Sequence, residues 1–139
     1  MPVRNAEATW NGNLKDGSGH LALGSGAYEG PYSFMSRFED GDATNPEELI
    51  GAAHAGCFVM ALGNELAEAG FEADELHADA RVHLDPEALE IDWIELTLEA
   101  TVPDIDEETF MELANGAKAE CPVSKALAGV EIRLDATLL

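Results

Sequence analysis

The chain is short of positive charge, of cysteine and of long apolar runs, and each shortage closes a class of function. Seven basic residues, three of them lysines (Lys15, Lys118 and Lys125), stand against 28 acidic ones, for a formal net charge of -21 at pH 7. A protein that holds nucleic acid by neutralising phosphates needs the opposite balance, and an anionic membrane repels such a surface. The two cysteines, Cys57 and Cys121, lie 64 positions apart, so they form no CxxC motif, no zinc quartet and no dense disulfide scaffold. The longest apolar run is shorter than the roughly 20 residues a membrane helix needs, so no bilayer span is expected. The opening MPVRNAEATW has no basic region followed by an apolar run, so no secretion signal is expected, and the expected location is the cytoplasm.

What is present fits one globular domain over residues 1–139. Apolar residues make up 46% of the chain, enough for a core of its own at this length. The acids are scattered, as in DIDEET and DPEALEIDWIE, which describes a solvated surface and not a disordered acidic tail. Such a balance suits a host with a high-salt cytoplasm, where self-repulsion is screened.

The stretch TNPEELIGAAHAGCFVM, residues 44–60, organises the rest. Asn45 is a favoured N-cap, Pro46 falls where a missing N–H costs nothing, and Glu48 stands three residues after the cap, where it can reach back. That gives Glu48 a structural task and leaves Glu47 free. From Leu49 to Leu62 only His54 is markedly polar, and apolar residues occur on every side, so the helix is expected to be enclosed by protein. It should run from Pro46 to about Ala69 and stop at Gly70, a natural C′ residue.

Before it, Val3 to Trp10, His20 to Leu23 and Tyr32 to Phe38 read as short strands of an antiparallel meander ending near Arg37, with Gly24 to Pro31 as a flexible connection. After it, Asp74 to Leu84 and Glu90 to Val102 read as longer strands joined through Asp85-Pro86-Glu87. In the second, Ile94, Leu96 and Leu98 share the apolar side, with Ile91 and Trp93 opposite. Asp106 caps a helix whose Phe110, Leu113, Ala114 and Ala117 form an apolar stripe. Val123 to Leu127 reads as a short helix and Val130 to Leu138 as a last strand.

Four residues are candidates for chemistry. Cys57 has small neighbours, Ala55 and Gly56, that admit a ligand, but an apolar surround by itself raises a thiol pKa, so reactivity requires a charge partner. Cys121 precedes a proline at the start of the short helix, where free N–H groups favour a thiolate. The pair reads equally as two inert buried thiols or as a working redox couple. Arg37 is a candidate cation beside Cys57, although from the sequence alone a surface ion pair with Glu39 or Asp40 is the more common arrangement. Glu47 is free to act, or serves the helix dipole alone. Glu47 and Cys57 are ten residues apart, about 15 Å along a straight helix, so a shared site requires a bend or a second copy of the chain. That points to a dimer with sites at the interface. His54 is one turn before Cys57 and reads as a hydrogen-bonded structural residue, since no HxxxH or HExxH spacing supports a metal site.

Three stretches, PYSFMSRFEDGDATNPEELIGAAHAGCFVMAL, Thr101 to Phe110 and AKAECPVSKAL, resemble the OsmC branch of the OsmC/Ohr family, the organic hydroperoxide reductases. The resemblance implies an α+β fold with antiparallel sheets around a long buried central helix, assembled as an intertwined homodimer with two sites at the subunit interface. It makes Cys57 the peroxidatic cysteine and Cys121 the resolving one, with Arg37 and Glu47 at the positions of the catalytic arginine and glutamate. Organic hydroperoxides, and hydrogen peroxide less well, would be reduced to alcohols through a Cys57 sulfenic acid and a Cys57–Cys121 disulfide. The reductant would be an external dithiol of the lipoyl type, and no metal, haem or flavin is required because both electrons come from thiols. The competing reading is a non-enzymatic, stress-associated protein that binds a small ligand and whose thiols are structural.

Overall fold

Glycine-rich turns between short alternating runs fold the N-terminal segment back on itself twice. The computed structural model describes residues 2–139, and its contacts divide the chain into two units, one ending at Leu49 and one running from Ile50 to Leu139. In the first unit, strands β1 (Ala6–Asn11), β2 (Ser18–Leu23) and β3 (Glu29–Tyr32) form an antiparallel sheet in that order. Gly12 takes the positive φ of 94° that the first turn demands. Gly19 is required for a different reason: a Cβ there would lie 2.5 Å from the Tyr32 ring and 2.7 Å from that of Trp10, two rings packed 5.4 Å apart.

The segment read as a strand from Tyr32 to Phe38 is divided. Strand β3 occupies part of the supposed flexible connection and ends at Tyr32, and Phe34–Phe38 is a short helix, α1, which carries Arg37. The cause is local. The Ser33 side chain accepts from the Ser36 N–H at 3.1 Å while Ser36 Oγ accepts from the Ser33 N–H at 2.8 Å, a reciprocal cap that outweighs the β preference of the aromatic residues. Asn45 then does two things: its Oδ1 accepts from the Glu48 N–H at 2.7 Å, capping the next helix, and its Nδ2 donates to Ser36 O at 2.9 Å. Glu48 thus joins the cap through its backbone, and its side chain is exposed.

Helix α2 runs from Pro46 to Glu68, close to the expected span, with Gly70 at φ 92° just beyond it. Its first turn belongs to the first unit and the rest to the second. There strands β4 (Glu75–Asp85), β5 (Glu90–Thr101) and β6 (Glu131–Leu138) form a second sheet in that order. The expectation of purely antiparallel sheets is corrected here. Strands β4 and β5 are an antiparallel hairpin, but β6 lies parallel to β5, because helices α3 (Glu107–Glu120) and α4 (Pro122–Ala126) return the chain to the start of β5 before it pairs.

The core is built from one side of each element. Ile94, Leu96, Leu98 and Ala100 of β5 are fully buried with Phe58, Leu62 and Leu66 of α2 and Phe110, Ala114 and Ala117 of α3. The alternation was legible, but Ile91 packs with this core and not on the Trp93 side. The pairing shifts between His83 and Leu84, from His83↔Trp93 to Leu84↔Ile91, and the additional residue, Asp92, reverses the facing of what precedes it. On α3, Asp106 caps as expected, accepting from the Thr109 N–H.

Helix α2 is not enclosed within a single chain. His54, Phe58, Leu62 and Leu66 are buried, whereas Ala52, Ala53, Gly56 and Met60 are exposed, Met60 to 78%. Apolar periodicity reports that a face needs cover, not which chain supplies it. By length and composition alone α2 also meets the requirement for crossing a bilayer, contrary to the expectation from run length, although its buried side belongs to a protein core.

The acidic surface reaches into the packing where α3 meets α2. A Cβ at Gly116 would lie 3.0 Å from Glu65 Oε2, and the Glu65 carboxyl is pushed above the usual range by burial and by the charges of Glu120 and Glu68. A carboxyl held above its unfolded value binds its proton more tightly when folded. The cost of ionising Glu65 is therefore absent at acid pH, where both states hold the proton, and grows as the pH rises from the unfolded value through the raised folded one. Glu65→Gln should raise stability at pH 7 in dilute buffer by about 0.3–0.5 kcal/mol, the scale of a like-charge pair one helical turn apart. Thermal unfolding should show a gain that shrinks in molar salt and disappears at acid pH.

Candidate active site

The two cysteines meet within the second unit. Cys57 lies on α2 one turn after His54, and Cys121 is the residue at which α3 ends and α4 begins. Both are free thiols, with their sulfurs 2.8 Å apart across 64 residues of sequence. A disulfide bond is about 2.05 Å long, so closing the pair requires a movement of less than about 1 Å. Cys121 is fully buried and Cys57 partly exposed, an asymmetry that leaves Cys57 as the thiol a solute can reach. Pro122 at the first position of α4 fixes the backbone after Cys121, which donates its own N–H to Ala117 O at 3.0 Å.

The electrostatics of the two thiols differ. Burial pushes Cys57 up, its contact with Cys121 adds to the rise, and the Val123 N–H opposes it. Burial also acts to raise Cys121, but the contact with Cys57, the N–H and hydroxyl of Ser124 and the N–H of Val123 outweigh it, and the thiol titrates below its ordinary value. The expected benefit of a helix start is thus realised at Cys121. Cys57 is left as a thiol that needs a cation before it can be a thiolate at neutral pH.

Arg37 and Glu47 form the second pair, within the first unit. Arg37 Nε donates to Glu47 Oε1 at 3.2 Å and Nη2 to Oε2 at 3.0 Å, the fork geometry in which a guanidinium holds a carboxylate by both oxygens. The alternatives of a surface partner for Arg37, Glu39 or Asp40, and of a dipole role alone for Glu47 give way to this pair. Glu47 is 7% exposed, so its charge is committed to the arginine, while the Arg37 side chain remains 38% exposed and has N–H groups to offer elsewhere.

His54 is the polar residue whose surroundings the sequence left undefined. It is completely buried, its Nε2 lies 2.7 Å from Ser124 Oγ, and burial holds its pKa low, so it is a neutral imidazole. Ser124 was not singled out in the sequence. The available signal was its place three residues after Cys121, on the first turn of a helix that starts at that cysteine. Among the described residues no group of three or more His, Cys, Asp and Glu side chains is placed to hold a metal.

Residues 39–135 match the family model described as OsmC-like protein. The chain is 46% identical over 135 residues to "Peroxiredoxin OsmC" of Escherichia coli (strain K12), covering 95% of this chain and 94% of that protein. It is 31% identical over 121 residues to "Organic hydroperoxide resistance protein OhrB" of Bacillus subtilis (strain 168), covering 85% and 88%. The crystal structure of Bacillus subtilis OhrB superposes with a TM-score of 0.67 at 29% identity, covering 96% of this chain and 98% of that one.

Proposed function

Because the chain belongs to the OsmC-like protein family, we infer that it is a thiol-dependent peroxidase that reduces organic hydroperoxides, with Cys57 as the peroxidatic and Cys121 as the resolving cysteine. The Cys57 thiolate attacks the terminal oxygen of ROOH, the O–O bond breaks, and the alkoxide leaves as ROH after taking a proton. Cys57 is then a sulfenic acid. The Cys121 thiolate displaces its hydroxyl, which leaves as water, and the Cys57–Cys121 disulfide forms. An external dithiol returns both thiols by exchange, its own sulfurs being oxidised to a disulfide. A lipoyl-type dithiol in a reducing cytoplasm fits this role.

The observation that carries the reading is the 2.8 Å approach of two free thiols, one reachable from solvent and one buried. Thiols kept only for packing have no need to face each other. The raised Cys57 thiol requires a cation, and Arg37, oriented by Glu47 with N–H groups to spare, is the one assigned here. The exposed apolar face of α2, with Ala52, Gly56 and Met60, supports the assembly of two copies, with Arg37 and Glu47 reaching Cys57 across the subunit interface. Mixing the reduced protein with cumene hydroperoxide should remove both thiols and release one equivalent of alcohol per pair. Thiols that survive the mixing leave the small-ligand-binding reading in its place.

A further inference from the structure

Two of the five phenylalanines lie apart from the core. Phe58 and Phe110 are fully buried in it and Phe71 packs against it, whereas Phe34 and Phe38 sit half-buried on the short helix α1. Each of their rings carries a cation. Lys15 Nζ lies 6.0 Å from the Phe34 centroid, the two rings are 5.0 Å apart and tilted by 36°, and Arg37 Cζ lies 5.6 Å from the Phe38 centroid. With Glu47 forked onto the arginine, these side chains of the first unit form one column. In a chain with only seven basic residues, two of them on one ring pair mark these faces as cation sites.

The contact of Arg37 with Phe38 is not imposed by their adjacency. Consecutive residues of a helix point about 100° apart and do not face each other. Here the guanidinium is turned over the ring of the next residue while its Nε and Nη2 stay on Glu47. Those two bonds run along one edge of the group and use two of its five N–H donors. They fix that edge and leave the plane free to swing about it, which would sweep the three remaining donors through space. A ring against the face removes the swing.

We propose that Phe38 is a positioning residue for Arg37: its ring holds the face of the guanidinium while Glu47 holds the edge, so that the three free donors keep one direction. The attraction is that of a cation for the negative face of an aromatic ring, which an aliphatic side chain of similar bulk does not supply. Phe34, packed on Phe38 from within the same helix, steadies the ring in turn. Direction matters because a donor aimed at developing charge loses much of its effect when displaced by about 1 Å. The ring takes no part in bond making and acts only through the arginine. The inference takes its purpose from the peroxidase reading, in which Arg37 is the cation that the Cys57 thiolate requires, but the column of side chains stands without it.

The test separates the face of the ring from its bulk. Phe38→Leu keeps most of the bulk and removes the face, Phe38→Tyr keeps both, and a trifluorinated phenylalanine at position 38 keeps the shape but withdraws the electron density that attracts the cation. In single-turnover oxidation of the reduced protein by cumene hydroperoxide, the leucine and trifluorinated proteins should react roughly three- to fivefold more slowly, the scale of one cation–π contact at a partly exposed site. The tyrosine protein should match the parent. Nuclear magnetic relaxation of the Arg37 Nε–H group should show lost order in the two slow proteins alone. A folded Phe38→Leu protein with parental rate, a trifluorinated protein that behaves as the parent, or a slow protein whose Nε–H stays as ordered as in the parent overturns the proposal. If Phe38→Leu does not fold, the trifluorinated protein decides. A parent that ignores cumene hydroperoxide overturns the peroxidase reading instead, and the Nε–H order of the trifluorinated protein then still answers for the hold of Phe38 on Arg37.

Discussion

Cys57→Ser is expected to abolish hydroperoxide consumption, with a loss on the order of 10^4-fold or more, the scale of removing a nucleophile. Serine keeps the shape but has no accessible oxyanion at neutral pH, and it cannot form a sulfenic acid. Cys121→Ser should behave differently. Its Cys57 still reacts once, and with the resolving sulfur gone the sulfenic acid persists, to be trapped by a dione reagent and weighed by mass spectrometry. The two variants separate the roles because only one thiol is partly exposed while the other is fully buried. If Cys121→Ser consumed no peroxide and Cys57→Ser did, the assignment would be reversed, an outcome that the lowered thiol of Cys121 makes worth testing.

The second large effect belongs to the arginine. Arg37→Met should lower turnover by about 10²–10³-fold, the usual cost of losing a donor aimed at developing charge. It should also cost about 1–3 kcal/mol of stability, because Glu47, 7% exposed, would keep two oxygens whose donors are gone. Glu47→Gln retains one acceptor and should lose less of both. Complementation then locates the site. If Arg37 serves the Cys57 of its partner subunit, mixing Arg37→Met and Cys57→Ser chains under conditions of subunit exchange should restore about a quarter of parental activity. Half of the dimers are then mixed, and each has one intact site of two. Activity that stays at the level of the separate variants places Arg37 and Cys57 in the same chain.

Much of the fold was legible because it is written in local signals. TNPEE announced the start of α2, Gly70 its end, and Asp106 the start of α3. What failed was of two kinds. Ser33 and Ser36 cap each other through hydroxyls where an acidic third residue is the familiar sign, so α1 passed for a strand. The parallel pairing of β6 and the bulge that moves Ile91 to the core side depend on contacts far apart in the sequence, and no local pattern distinguishes the open face of α2 from its buried one. The same division holds at the site. The sequence nominated Cys57, Cys121, Arg37 and Glu47, but the forked bonds from Arg37 to Glu47 and the contact of His54 with Ser124 have no local signal and appear only in the folded chain.

The sulfur separation has a consequence for how the protein meets an excess of its substrate. A sulfenic acid has two fates: condensation with a nearby thiol, or attack on a second peroxide to give a sulfinic acid that ordinary thiols do not restore. With Cys121 already against Cys57 and held by Pro122, no segment has to unwind before condensation. Well-oriented intramolecular partners reach effective concentrations of about 10⁵ M and above, far beyond any peroxide in solution. In the proposed cycle the chain would survive a burst of oxidant intact, and for the same reason it would be a poor recorder of that burst, since the oxidised intermediate a signalling partner would read is gone almost as soon as it is made.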